Sequence, residues 1–204
     1  DLTSFYESLP FALTNAQKRA IREILGDLQK GTPMNRLVQG DVGSGKTMVA
    51  AAAAYCACLN GFQTALMAPT EILAEQHYES LRKLFAPLGL HTVLLTGSQT
   101  QKEKRMAREA LSSGEAHIVV GTHALISEST VFANLGLVIT DEQHRFGVDQ
   151  RGRLSAKGHD PHILVMSATP IPRTLALLMY GDLDVSVLDG LPPGRQKVDT
   201  FLVG

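Results

Sequence analysis

Short apolar runs alternate along the chain with longer amphipathic or alanine-rich stretches. The runs at 36–39, 64–68, 92–95, 117–120, 137–140, 163–167 and 185–188 have the length and aliphatic content of buried strands. Helical spacing occupies 16–29, 46–59, 72–85, 101–111 and 173–179. Such alternation predicts an α/β fold, a mostly parallel sheet with helices on both faces. Right-handed crossovers then bring every loop that follows a strand to one edge of the sheet. Gly61, Gly89, Gly114 and Gly158 stand where helices should end, as C-caps. Residues 1–188 read as one domain. The segment Asp189-Gly190-Leu191-Pro192-Pro193-Gly194-Arg195 breaks the alternation and predicts a linker over 189–204.

Composition narrows the function classes. A chain of 204 residues can bury about 70% of its unfolded surface, enough for one complete core. The net charge of -1 gives no strong overall field, so a nucleic-acid partner would need a local basic face. Lys102, Lys104, Arg105 and Arg108 cluster on one predicted helix, but Glu103 and Glu109 interrupt them, which reads as a solvated, salt-bridged face. Cys56 and Cys58 show neither metal spacing nor a disulfide framework and read as free thiols of a reducing compartment. No secretory h-region and no apolar stretch of about 18 residues occurs.

The chemistry is concentrated in two places. Gly40-Asp41-Val42-Gly43-Ser44-Gly45-Lys46-Thr47 fits G-x-x-x-x-G-K-[ST], between a predicted strand and a predicted helix, the context of a P-loop. Its glycines let successive N–H groups face a phosphate, the helix start adds a positive dipole end, and Lys46 can reach the terminal phosphates. Thr47 is the expected Mg2+ ligand. The second place is the predicted strand 137–140, which runs into Asp141-Glu142-Gln143-His144. Acids at the carboxyl end of a buried strand share the P-loop's edge of an open sheet. Asp141 can then hold Mg2+, and Glu142 can orient or deprotonate the attacking water. An acidic helix cap is the plainer account of the same residues.

Other loops on that edge carry small polar residues: Ala68-Pro69-Thr70, Leu95-Thr96-Gly97-Ser98, Gly121-Thr122-His123 and Ser167-Ala168-Thr169-Pro170. With the P-loop and the Asp-Glu-Gln-His segment, they resemble the motifs of superfamily 2 helicases over essentially the whole chain. The finer wording, from Phe11-Ala12-Leu13-Thr14-Asn15-Ala16-Gln17 to Tyr180-Gly181-Asp182-Leu183-Asp184, is similar to the RecG-type ATP-dependent DNA helicases of bacteria. The related transcription-repair coupling factors usually carry Glu where this chain has Gln143, which favours the RecG type.

The resemblance implies a RecA-like P-loop NTPase domain, the first of two motor domains, using ATP and Mg2+ on branched or duplex DNA in the bacterial cytoplasm. By the same carry-over, Gln17 contacts the adenine edge and Phe11 packs near the base. Gln17 also completes a capping box with Thr14, and Phe11 also suits a hydrophobic staple. Pro69, Thr70, Gly97, Thr122 and His123 would face the DNA backbone, although Thr70 and Thr122 also suit helix capping. Ser167 and Thr169 would couple the nucleotide site to the DNA face, with His144 assisting. Arg145 and Arg173 lie near these motifs, where structural ion pairs are the commoner outcome. The resemblance also implies a second RecA-like domain supplying a catalytic arginine, and a separate domain that reads DNA junctions. A switch-like nucleotide-binding module without strand separation is the rival from another class.

Overall fold

The computed structural model describes residues 2–9, 12–40, 45–123, 126, 130–141, 161–168, 174 and 184–188. Its elements run in the order α1 (Thr3–Ser8), α2 (Asn15–Leu28), β1 (Asn35–Gly40), α3 (Lys46–Leu59), β2 (Gln63–Ala68), α4 (Glu71–Phe85), a 3-10 turn (Ala86–Leu88), β3 (Thr92–Leu95), α5 (Gln101–Ser113), β4 (Ile118–Thr122), β5 (Leu135–Asp141), β6 (His162–Ser167) and β7 (Asp184–Leu188). Gly61, Gly89 and Gly114 adopt positive φ at the ends of α3, the 3-10 turn and α5, as C-caps should. The linker expected over 189–204, Gly158 and all of the predicted helix 173–179 except Thr174 lie outside the described residues.

Seven strands form one sheet in the order β3-β4-β2-β5-β6-β1-β7, and every described pairing is parallel. Strand periodicity of two sorts the side chains into two cores. Leu66, Ala68, Ile118, Val120, Leu137 and Ile139 pack with residues of α1, α2, α3 and α4. Ala65, Met67, Val119 and Val138, their sequence neighbours, pack with Ala107, Ala110 and Leu111 of α5 and with Phe132. Helices therefore cover both faces.

Helix α3 is apolar nearly all round, as a helix buried in a core must be. Ala50, Ala51, Ala52, Ala53 and Ala54 are all buried and let it lie close against the sheet. Its two cysteines are free, and burial pushes the Cys58 thiol up to about 12, so it stays protonated. Helix α1 is too short to announce itself by periodicity. It is held by Phe5, which is fully buried and stacks 5.7 Å from Tyr55.

Polar clasps fix the strand that carries the P-loop. Arg36 of β1 donates to both oxygens of Asp27 on α2, at 2.6 and 3.2 Å, and to Ser186 Oγ of β7 at 2.9 Å. Burial alone would raise the Asp27 pKa, but its hydrogen bond to Arg36 and the nearby positive charges hold it below the usual carboxylate range. At the start of β6, His162 Nδ1 accepts from Met34 N at 2.7 Å. Across the sheet, buried Gln63 donates to the carbonyls of Leu111 and Ala116 and accepts from Asn134 N, satisfying its amide with three backbone groups.

Candidate functional site

The strand order divides the carboxyl edge into two halves. Strands β5, β6 and β1 are neighbours, and so are β3, β4 and β2. Gly40 and Asp141, expected at the nucleotide, end strands of the first half, and the residues expected to face DNA follow or close strands of the second.

In the nucleotide half, β1 ends at Gly40 and α3 begins at Lys46. Gly40, Gly45, Lys46 and Thr47 are described, whereas Asp41, Val42, Gly43 and Ser44 lie outside the described residues. Gly45 adopts φ 85, a conformation that favours glycine, and a Cβ added there would displace Gln17 Nε2 from its hydrogen bond. Lys46 Nζ donates to the Gly40 carbonyl at 2.7 Å, which holds the ammonium at the end of β1. Helices α2, α4 and α5 are N-capped by Thr14, Thr70 and Thr100, whereas at α3 the N-cap is Gly45, which has no side chain, and no other described residue is seen to cap it. A glycine N-cap suits an anion site, where the ligand meets the first N–H groups.

Gln17 is fully buried, and both ends of its amide are engaged. Its Oε1 accepts from Thr14 N at 2.8 Å, completing the capping box, and its Nε2 donates to the Gly45 carbonyl at 3.3 Å. The capping box anticipated from the sequence is thus formed, and the same side chain braces the P-loop. Phe11 lies outside the described residues.

Asp141 closes β5 opposite Met166 of β6, and Met166 and Ser167 pair on their other side with Val38 and Gln39 of β1. With strands about 4.8 Å apart, Asp141 and the P-loop strand stand about 10 Å apart across the buried end of β6. Asp141 is 6% exposed. Its Oδ2 lies 2.8 Å from Nε2 of His77, a residue of α4. Sequence reasoning passes over His77, although a signal exists. Helix α4 buries Ala74, Leu81, Leu84 and Phe85, and His77 is spaced onto that stripe beside Tyr78. Ser167 is buried. Glu142, His144, Thr169, Arg145 and Arg173 lie outside the described residues.

In the second half, Pro69 and Thr70 follow β2, Gly97 follows β3, and Thr122 and His123 close β4. Thr70 Oγ1 accepts from Leu73 N at 3.2 Å, so its capping role is realised. Glu71 Oε1 accepts from Ser98 N at 2.7 Å, tying the start of α4 to the loop after β3. Thr70 and Gly97 are exposed, Pro69 and Thr122 are half-buried, and the His123 ring is buried. The basic stretch on α5 shows the salt-bridged character expected of it, with Arg105 3.8 Å from Glu109. No helix among the described residues is long and apolar enough to cross a membrane.

The profile of the DEAD/DEAH box helicase family matches residues 14–178. The chain is 57% identical over 202 residues to the ATP-dependent DNA helicase RecG of Synechocystis, covering 99% of this chain and 24% of that protein. It is 56% identical over 203 residues to RecG of Bacillus subtilis, covering 100% of this chain and 30% of that one. It thus spans less than a third of the length of the curated relatives it matches. A solved structure of RecG bound to a three-way DNA junction superposes with a TM-score of 0.81 at 53% identity, over 95% of this chain and 26% of that one. With the family profile running from the capping box of α2 past the end of β6, on an all-parallel sheet with a P-loop at its edge, the chain belongs to the DEAD/DEAH box helicase family.

Proposed function

We propose that this chain is the first RecA-like motor domain of a RecG-type DNA helicase. In the full-length protein it would bind ATP with Mg2+ and, with a second RecA-like domain, couple hydrolysis to movement on branched or duplex DNA in the bacterial cytoplasm. The observation that carries this reading is the shared edge: Gly40, Ser167 and Asp141 end three adjacent parallel strands, β1, β6 and β5. Identity to RecG relatives over nearly the whole chain supports it over a coupling-factor translocase.

The residues present fit the nucleotide. Gly45 takes the left-handed conformation that favours glycine, no side chain of a described residue caps the start of α3, and the Lys46 ammonium lies 2.7 Å from the Gly40 carbonyl that ends β1. Among the described residues no cluster of three acidic, His or Cys side chains could hold a metal alone, and Mg2+ needs none. One or two carboxylates plus phosphate oxygens and waters suffice. When bound, ATP with Mg2+ supplies the phosphoryl group to be transferred and the cation that offsets its charge. Lys46 would exchange the Gly40 carbonyl for the terminal phosphates, Thr47 and Asp141 would hold the cation, and Glu142 would orient or deprotonate water. Pro69, Thr70, Gly97, Thr122 and His123 would line the DNA side, with Ser167 and Thr169 between the halves. Gln17 and Phe11 are proposed for the base, with Gln17 also bracing the loop it touches.

The test is the ATPase rate of the full-length protein with and without forked DNA. Stimulation by the fork supports a helicase motor. A rate indifferent to DNA would point instead to a nucleotide-dependent switch.

A further inference from the structure

We propose that His77 is a positioning residue for Asp141, fixing the rotation of the carboxylate from a rigid mount on α4. This rests on reading Asp141 as the carboxylate on the metal side of the nucleotide site. His77 Nε2 and Asp141 Oδ2 are 2.8 Å apart, with side chains only 13% and 9% exposed. Little water competes in such a place, so a hydrogen bond to the carboxylate is strong and directional. A carboxylate at a strand end can rotate about its side-chain torsions. Once Oδ2 is bound to His77, that rotation is fixed, and cation binding no longer has to order the group.

The mount is rigid for identifiable reasons. Helix α4 packs on the sheet through Ala74, Leu81, Leu84 and Phe85. Its first turn is capped by Thr70, and Glu71 pins it to Ser98 N at 2.7 Å. His77 sits about 9 Å along the axis from Glu71, at 1.5 Å per residue. His162 and His117 accept hydrogen bonds from backbone N–H groups and serve local structure. His77 instead bonds to the acidic side chain that ends β5. Outer hydrogen-bond partners of metal-binding carboxylates set affinity in this way, and removing one typically costs 10–100-fold.

The experiment measures binding of a fluorescent ATP analogue to the chain during Mg2+ titration and, separately, in EDTA. His77→Leu, which keeps bulk but loses the donor, should raise the Mg2+ midpoint about 10–100-fold and leave affinity in EDTA unchanged. His77→Gln, whose amide nitrogen can replace Nε2, should restore most of the loss. On an Asp141→Asn background, His77→Leu should add nothing, because both changes remove one interaction. If His77→Leu does not fold, His77→Asn, too short to reach Asp141, takes its place with the same expectation. A wild-type midpoint in the donor-free variant, or a full additional loss on the Asp141→Asn background, overturns the role of His77 alone. A wild-type chain whose affinity ignores Mg2+, or an Asp141→Asn variant that titrates normally, overturns the reading of Asp141 and the proposal with it.

Discussion

Replacing Gln17 by Ala tests the contact that joins the start of α2 to the P-loop. The substitution removes the hydrogen bond from Thr14 N at 2.8 Å and the hydrogen bond to the Gly45 carbonyl at 3.3 Å, both made by a fully buried side chain. Each is worth about 0.5–1.5 kcal/mol net, giving about 1–3 kcal/mol for the two. The lost methylene adds about 0.8 kcal/mol of burial. The expected cost is therefore about 2–4 kcal/mol, read from urea unfolding at constant slope. A domain of ordinary stability, about 5–15 kcal/mol, remains folded, so binding can be measured on the same variant. Gln17→Glu separates the two bonds. A carboxylate still accepts from Thr14 N and keeps the capping box, but it faces the Gly45 carbonyl without a proton to donate. Calorimetry then compares ATP with inorganic triphosphate. Equal weakening for both ligands means that Gln17 acts by bracing the loop, and a larger loss for ATP reveals a contact to the base. A stability loss under about 0.5 kcal/mol in Gln17→Ala would refute the energetic argument, because neither buried hydrogen bond would then contribute.

Lys46→Ala should abolish detectable ATP binding with little change in melting temperature, since the side chain is half-buried and lies outside the hydrophobic core; unchanged affinity by calorimetry would remove it from the site. Arg36→Met should destabilise the domain by up to about 3–5 kcal/mol in urea unfolding, because buried Asp27 would keep only the exposed Lys30, 3.4 Å away, to offset its charge; a loss near zero would mean that Lys30 compensates fully. Burial lowers the pKa values of His162 and His117, and each Nδ1 accepts a backbone N–H that protonation would displace. Their contribution is complete above the ordinary histidine value of about 6.5 and is lost as pH falls through the lower folded values, so the unfolding midpoint should drop from neutral pH toward pH 5. Exchanging both rings for Gln should flatten that part of the profile, and an unaltered slope would refute the assignment.

The α/β architecture and the ends of most elements follow from local chemistry already present in the sequence. Helix α3 runs from Lys46 to Leu59, the span its apolar pattern predicts, because a glycine loop starts it and Asn60-Gly61 stops it. Strands β1 to β7 match the apolar runs to within two residues, because a strand covered on both faces must be apolar throughout. The P-loop pattern is a local signal of the same kind, because its glycine spacing is a requirement of backbone curvature. Contacts between residues far apart in the chain are set by strand order, crossover hand and helix packing, none of which a local pattern encodes. Only the fold brings His77 to Asp141, 64 residues away, and Gln17 to Gly45, 28 residues away. The order β3-β4-β2-β5-β6-β1-β7 likewise separates the edge into two halves. The sequence by itself determined most of the candidate chemistry and where most elements begin, with α1 and His77 left to the fold. Tertiary structure decided which of those residues meet, because that depends on packing energies summed over the whole sheet and its two cores.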